Sequence, residues 1–368
     1  MTGELDVGLI GLGGGARAVL DALLAEPRIR LVAVGDHDRQ TAEACAELTG
    51  AEPYLDYRSL IVEHRLDALF IAAPHFAVAP YLKLAAGRGL PVWKQTPLAR
   101  RFEEALLLTK LFEGAAPGGC PLVVARPWPA EPAMAQAGQT LARFGKPFLA
   151  DSRVYACRPE DLDWRGDSER AGGGVLLHEA YPAVDAIVQW MGPPAEVYAA
   201  ASRVSRPHTR YPYDTEDTAA VVLRYNDGAV ASMVSCWTSG PPALELTIYS
   251  TGGTVRIDRQ RVTVFDRAGE PVGTPFDRAP NPYSHPIRVF LDGITGDRKR
   301  LASLARDHLW TMAVIETAYL SARTGEPESP AKWFEMLRTD WPSAPVPGAV
   351  SERPPEAGLS PAATEPMD

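Results

Sequence analysis

Apolar residues in the first 125 positions fall in short continuous runs separated by longer stretches with helical spacing. Val7–Ile10, Ile29–Val34, Leu66–Ala72, Leu90–Trp93 and Leu122–Ala125 read as strands. Ala16–Ala25, Gln40–Thr49, Val78–Ala86 and Glu103–Phe112 between them read as helices. Strands that are apolar throughout, rather than alternating, belong to a parallel sheet covered on both faces. The pattern therefore predicts a doubly wound α/β domain over residues 1–125.

The texture changes after Arg126, where Pro127, Pro129 and Pro132 punctuate the chain. Helical spacing is expected over Ala133–Arg143 and, behind the triplet Gly172-Gly173-Gly174, over Val175–Met191. From 195 to 258 strand signals dominate: Thr218–Tyr225, Val230–Trp237, Leu244–Tyr249 and Val255–Ile257. Asn226-Asp227-Gly228 joins the first two as a hairpin, with Asp-Gly supplying positive φ angles. Consecutive strands on short turns predict a mostly antiparallel sheet, hence an α+β domain over 126–335. Helical patterns return at Pro286–Ile294 and Leu301–Arg323. The segment 336–368 is expected to be a Pro-rich, disordered tail: its last 29 residues carry seven prolines and almost no apolar periodicity.

Composition narrows the functional classes. The 368 residues carry 37 basic and 46 acidic side chains, a net charge of −9, so no basic field draws phosphate backbones or anionic lipid. Nucleic acid and membrane are not expected partners. The four cysteines lie far apart with no CxxC pair, which argues against a disulfide framework or a zinc ribbon. The N-terminus has no basic, signal-like opening, and a cytoplasmic location is expected.

Gly11-Leu12-Gly13-Gly14-Gly15-Ala16 follows the first strand and opens the first helix, matching G-x-G-x-x-G/A. Gly11 permits the tight turn, Gly13 lets backbone approach a pyrophosphate, and Ala16 allows close helix–strand packing. Asp36 ends the second strand, where a carboxylate binds ribose hydroxyls and repels a 2′-phosphate; NAD is favoured over NADP. His37 is the one residue there able to reach toward a phosphate. A purely structural βα turn is the alternative.

These features and several later segments resemble the Gfo/Idh/MocA oxidoreductase family along most of residues 5–330. Ala73-Pro74 resembles that family's Thr-Pro beside the nicotinamide. Trp164-Arg165 and Gly172-Gly173-Gly174-Val175-Leu176 resemble its W-R…G-G-G-x-L segment. Glu216–Ala219 and Tyr249–Val255 resemble its sheet strands, and Ile287–Asp292 its late helix. The resemblance implies a Rossmann domain followed by an α+β domain with a large open sheet that faces substrate or a partner subunit. It also implies that Ala73, Pro74, Gln95 and Arg165 join Gly11, Leu12, Gly13, Gly14, Gly15, Ala16 and Asp36 at the cofactor, and His75, at the carboxyl end of the fourth strand, is placed to join them.

The chain departs from the family at the catalytic positions. Where Glu-Lys-Pro is the signature, it reads Gln95-Thr96-Pro97. Where G-G-G-x-L-x-D-x-G-x-H-x-x-D is the signature, His178 stands for the aspartate, Ala180 for a glycine and Pro182 for the histidine; only Asp185 matches. Two residues offer themselves as substitutes. Lys94 lies two positions before Thr96, on the same side of an extended strand. His178 lies four before Pro182, on one face of a continuous helix. Each has a plain structural alternative: Lys94 pairing a surface acid, His178 a hydrogen-bonded core histidine. Tyr181 reads as core or rim. His75 reads either as a ligand contact or as a cap of the next helix, and Arg126 as an anion contact or a solvated side chain. His178-Glu179-Ala180-Tyr181-Pro182 lacks the second histidine of H-E-x-x-H, so no metal is expected.

The expected function is that of an NAD(P)-dependent oxidoreductase acting on a carbohydrate-like small molecule: a sugar, cyclitol or related polyol. Lys94 and His178 would polarise or deprotonate a hydroxyl, and Asp185 would orient the site. A non-catalytic nucleotide- or sugar-binding relative is the alternative, and transient oxidation serving elimination or hydrolysis a third reading. Homo-oligomers paired through the C-terminal sheet are the family-based expectation.

Overall fold

The computed structural model describes residues 4–115, 119–125, 132–204, 210–296, 301 and 304–339. Arg126, Pro127, Pro129 and the expected tail from 340 onward lie outside the described residues; its first four residues, 336–339, are structured instead, with Met336 ending a helix and the Thr339 N–H donating to Phe334 O at 3.1 Å.

The first unit alternates strands and helices: β1 (Leu5–Ile10), α1 (Arg17–Leu24), β2 (Ile29–Gly35), α2 (Arg39–Thr49), β3 (Glu52–Tyr54), α3 (Tyr57–Glu63), β4 (Ala68–Ile71), α4 (His75–Gly87), β5 (Val92–Lys94), α5 (Phe102–Glu113) and β6 (Leu122–Val124). All strand pairs are parallel and the order is β3-β2-β1-β4-β5-β6. That order reverses direction beside β1, which makes the crevice outside the carboxyl ends of β1 and β4 the ligand-binding edge. The apolar pattern does not predict β3 and α3; β3 has three residues, one of them proline, at the sheet's edge.

The second unit contains α6 (Pro132–Arg143), β7 (Pro147–Cys157), α7 (Ser168–Ala171), α8 (Val175–His178), α9 (Tyr181–Met191), β8 (Glu196–Ser202), β9 (Thr218–Arg224), β10 (Val230–Cys236), β11 (Thr238–Ser250), β12 (Gly253–Ile257), β13 (Arg261–Asp266) and β14 (Phe276–Asp277). They form an eight-stranded sheet ordered β14-β13-β12-β11-β7-β10-β9-β8, antiparallel except for the pair β7–β10. One face, including Val221, Leu223, Ala231, Met233, Leu246 and Ile248, is buried. The other leaves Tyr198, Val222, Val230 and Val234 exposed. The hairpin at 226–228 forms as expected, but only Gly228 takes a positive φ (+89°), while Asp227 Oδ1 accepts the Ala229 N–H at 3.0 Å.

The chain then returns to the first unit. Helix α10 (Ser284–Thr295) places Ile287, Phe290 and Leu291 in the core over β1, β2 and β4, where Phe290 meets Phe70 edge-on at 5.6 Å. Helix α11 (Leu309–Thr324) and the short α12 (Ala331–Met336) close the core shared by both units, with Phe102 against Phe334 at 4.9 Å. Among the described residues no helix is long and apolar enough to cross a membrane.

Candidate functional site

Gly11 leaves β1 at φ +84°, its N–H donating to Gly35 O at 2.9 Å. A Cβ there would stand 2.3 Å from the Ala73 backbone nitrogen, so only glycine lets the loop after β1 close on the loop after β4. The next three glycines are different. A Cβ on Gly13, Gly14 or Gly15 would meet nothing within 4 Å, so the loop's outer side is open space. The helical turn that follows, Gly14–Ala16, has no side-chain cap. Asp36 reaches this loop: its Oδ2 accepts the Leu12 N–H at 2.8 Å and its Oδ1 the Asp38 N–H at 3.0 Å. His37 is turned to the protein, stacked on Tyr57 at 4.3 Å with Nδ1 at 3.1 Å from Leu55 O. An open backbone cradle at an uncapped helix start, with a carboxylate fixed beside it, fits a dinucleotide: Gly13–Gly15 for the pyrophosphate, Asp36 for the ribose. Gln95 locks the cradle from the far side, donating through Nε2 to Gly15 O at 2.9 Å and to the Tyr283 hydroxyl at 3.0 Å.

One loop away, His75 opens α4. Its side chain does not cap the helix; the ring is buried and Nε2–H donates to Ala171 O at 2.8 Å. His178 stacks on it with centroids 5.1 Å apart. Trp164 stands edge-on to both, at 5.1 Å from His75 and 5.3 Å from His178, and Trp237 lies parallel to His178 at 6.4 Å. Burial first, and then the Arg165 charge, push His178 down to about 3; burial and the neighbouring His178 hold His75 well below the usual histidine range. Both rings are neutral. Among the described residues, His178 Nε2 and Trp237 Nε1 are buried without a hydrogen-bond partner. Such groups in a native interior call for an explanation, and a bound ligand supplies one. Trp237 and Tyr283 carried no local motif; only tertiary contact reveals them.

The expected continuous helix Val175–Met191 is two helices, broken at 179–180. Pro182 is the reason: it has no N–H for the His178 carbonyl, and its ring would crowd that carbonyl. The shared helical face for 178 and 182 therefore does not exist, and His178 reaches the cluster from the end of α8.

Lys94 is not a surface residue paired with an acid. It is 2% exposed, and its Nζ donates to Gln95 O at 3.0 Å and Pro97 O at 2.5 Å, beneath the loop that carries Gln95. Burial drives it down to about 7. Asp185 is buried in α9, where its Oδ1 accepts the Thr311 hydroxyl at 2.8 Å. His308 lies 3.8 Å from the same oxygen and joins the Tyr181 hydroxyl at 3.0 Å, so Tyr181 is core.

The glycine triplet is steric necessity. A Cβ on Gly172 (φ +76°) would lie 2.5 Å from Arg100 O, on Gly173 2.1 Å from the Tyr319 hydroxyl, and on Gly174 1.9 Å from Glu216 O. The Glu216 carboxyl clamps the start of α8, accepting the Gly174 N–H at 2.6 Å and the Leu176 N–H at 3.0 Å. This packing sets His178 against His75.

Two family models match the chain. An oxidoreductase family with an NAD-binding Rossmann fold matches residues 5–116, and the GFO/IDH/MocA C-terminal domain matches residues 136–256. The D-xylose 1-dehydrogenase (NADP(+)) 2 of Haloferax volcanii is 26% identical over 336 residues, covering 86% of this chain and 97% of that protein. D-apiose dehydrogenase of Paraburkholderia graminis is 27% identical over 342 residues, covering 86% of this chain and 87% of its own. A levoglucosan dehydrogenase, solved with NADH and levoglucosan, shares the fold with a TM-score of 0.78 at 20% identity, over 89% of this chain and 99% of that one.

Proposed function

Because the chain belongs to the Gfo/Idh/MocA family of oxidoreductases, we propose that it is an NAD(P)-dependent oxidoreductase acting on a sugar, cyclitol or related polyol, with an atypical catalytic set. The observation that carries this reading is the unpaired Nε2 of His178, buried next to His75 at the carboxyl end of β4, one loop from the Gly11–Ala16 cradle. Relatives named as xylose and apiose dehydrogenases support the substrate class.

When bound, nicotinamide accepts or returns the hydride; the residues of this chain handle orientation and the proton. His178 is neutral, and since Nε2 has no partner among the described residues its hydrogen bonds to the Ala171 and Gly173 backbone engage Nδ1; the proton held there leaves the lone pair on Nε2, while Trp237 Nε1 offers a donor. A substrate hydroxyl placed between them gives its proton to Nε2 as its carbon becomes a carbonyl, and recovers it in the reverse direction. Proton transfer of this kind typically contributes about 10²–10⁴-fold. His75 and Trp164 are positioning residues that hold the His178 ring. Lys94 positions Gln95 through its backbone, and Asp185 holds α9 against α11. Asp36 favours NAD over NADP, because a 2′-phosphate would meet its carboxylate. The exposed Tyr198, Val222, Val230 and Val234 support pairing of two copies through the open sheet face, which light scattering would report as a dimer or higher mass.

The test is cofactor titration followed by a sugar panel. NADH is expected to quench tryptophan emission by energy transfer, and His178→Ala to lower turnover by about 10²-fold or more. No binding of NADH or NADPH at millimolar concentration would sink the proposal. Pro182 and Thr96 favour a second reading, a non-catalytic relative that holds nucleotide or sugar: it predicts cofactor binding with no turnover on any member of the panel.

A further inference from the structure

Among the described residues, Arg165 is a cation that no acid pairs by direct hydrogen bond or ion pair. It sits in the helical turn Asp163–Gly166, entered through Asp163 at φ +51°, a conformation that non-glycine residues seldom take. The turn is pinned on both sides of the arginine: the Arg165 N–H donates to Leu162 O at 3.1 Å, and the Arg165 carbonyl accepts the Thr215 hydroxyl at 2.9 Å. The guanidinium lies 4.5 Å over the Trp164 ring. Among the described residues its guanidinium N–H groups donate no hydrogen bond and form no ion pair. Burial and the like charge of Arg158 act against the cation, yet a guanidinium does not give up its proton at any ordinary pH.

Two acids, Glu179 and Asp163 of the same turn, attract the cation from a distance without forming an ion pair with it. Glu179 accepts from Arg158 Nε at 2.6 Å, and that pair lines an open cleft of about 400 Å³ with Tyr155 and Arg259. A partly desolvated charge left unpaired is costly unless something arrives to pair it. The same Trp164 ring that Arg165 covers touches the His178 ring, so the free guanidinium is one aromatic ring from the unpaired Nε2.

We propose that the substrate of this site is an anionic sugar, whose oxyanion, carboxylate or phosphate, is received by Arg165 while a hydroxyl of the same molecule meets His178. The inference rests on the oxidoreductase reading and narrows it from sugars and polyols in general to acidic ones. It moves Arg165 from the cofactor, where the family resemblance put it, to the substrate. A planar guanidinium offers two parallel donors to such a group, which fixes orientation as well as affinity. Pairing has a chemical consequence: Arg165 is the largest charge depressing His178. An anion on Arg165 cancels that field and makes Nε2 a better base, so the substrate improves its own acceptor.

Matched trios test this: glucose, glucuronate and glucose 6-phosphate, with the galactose counterparts, titrated calorimetrically into protein with and without NADH. At least one anionic member is expected to bind about 10-fold or more tighter than its neutral counterpart, as hydrogen bonds to a charged group allow. Arg165→Gln should bring that ratio to near one, and Arg165→Lys should keep part of it. Preference for the uronate or for the phosphate identifies which oxyanion is read. The proposal is overturned if neutral sugars bind as tightly in every trio, if the ratio survives Arg165→Gln, or if Arg165→Gln weakens all three members alike, as a cofactor or folding role would. Should Arg165→Gln not fold, Arg165→Lys and the wild-type ratio decide. Failure of NADH to bind would remove the oxidoreductase reading alone; the trio ratio measured without cofactor would still decide this one.

Discussion

His178 lies against His75 with centroids 5.1 Å apart and planes 25° from parallel, and neither ring carries a proton charge. Two imidazoles buried face to face cannot both be cations, because burial and mutual repulsion act in the same direction.

The pair makes stability depend on pH in a defined direction. An unfolded histidine titrates near 6.5, whereas His178 in the fold titrates near 3. Between those values the unfolded chain binds the extra proton. The stabilisation is complete above about 6.5 and is lost as pH falls, at up to about 1.4 kcal/mol per pH unit for one proton. Denaturant midpoints at pH 4–8 should therefore fall less steeply with acid in His178→Asn than in the wild type. Parallel curves would show that His178 is accessible to protons in the fold.

Gly11 and Gly13 should fail differently. Gly11→Ala drives a methyl into the Ala73 backbone at a positive φ, so both the melting temperature and NADH affinity should drop. Gly13 is extended (φ −61°, ψ 175°) with open space beside it. Gly13→Val should melt within a degree or two of the wild type, as surface changes usually do, yet lose NADH binding because the side chain fills the cradle. Retained binding in Gly13→Val would place the cofactor elsewhere.

Asp36→Ser should reduce the preference for NADH over NADPH, since it removes the carboxylate at the Leu12 N–H. Loss of a charge-assisted bond to ribose is worth about 1.5–3 kcal/mol, or roughly 10–100-fold in the ratio of dissociation constants. An unchanged ratio would transfer discrimination to His37 or Arg39.

Lys94 should show the same sign in a more alkaline window. Its folded value near 7 lies below the unfolded value near 10.4. The fold releases that proton first, so its stability gains as pH rises from about 7 to about 10. Lys94→Met should lack the gain and, by leaving the Gln95 and Pro97 carbonyls unpaired, cost about 1–3 kcal/mol at pH 9. The check is urea unfolding at pH 7, 8 and 9.

Much of the fold was legible because the parallel sheet needs strands apolar on both sides, and β1, β2, β4, β5 and β6 are. Strand β7 was not, although it is central to the second sheet. Asp151 and Arg153 interrupt its pattern, and both face the open side, where Arg153 meets Glu245 at 2.7 Å. The break between α8 and α9 is written in Pro182, yet the spacing of 178 and 182 fits one helix because periodicity carries no information about a missing N–H. At the site, the glycine cradle and Asp36 were legible because all their atoms lie within one βαβ stretch. The shell around His178 was only partly so. Its rings come from positions 75, 164 and 237, on three separate elements, and no local pattern brings them together.

Helix α10 imposes an order on synthesis. The cofactor-binding half is encoded in the first 125 residues, but Phe290 against Phe70 and Tyr283 against Trp93 are part of its core. A nascent chain that has emerged only to residue 125 exposes Phe70 and Trp93 on an uncovered layer. It must wait for roughly another 170 residues of translation, about 10–30 s at ordinary elongation rates. The front half of this protein is thus finished last, and a fragment cut at the apparent domain boundary would be an aggregation-prone intermediate rather than a portable module.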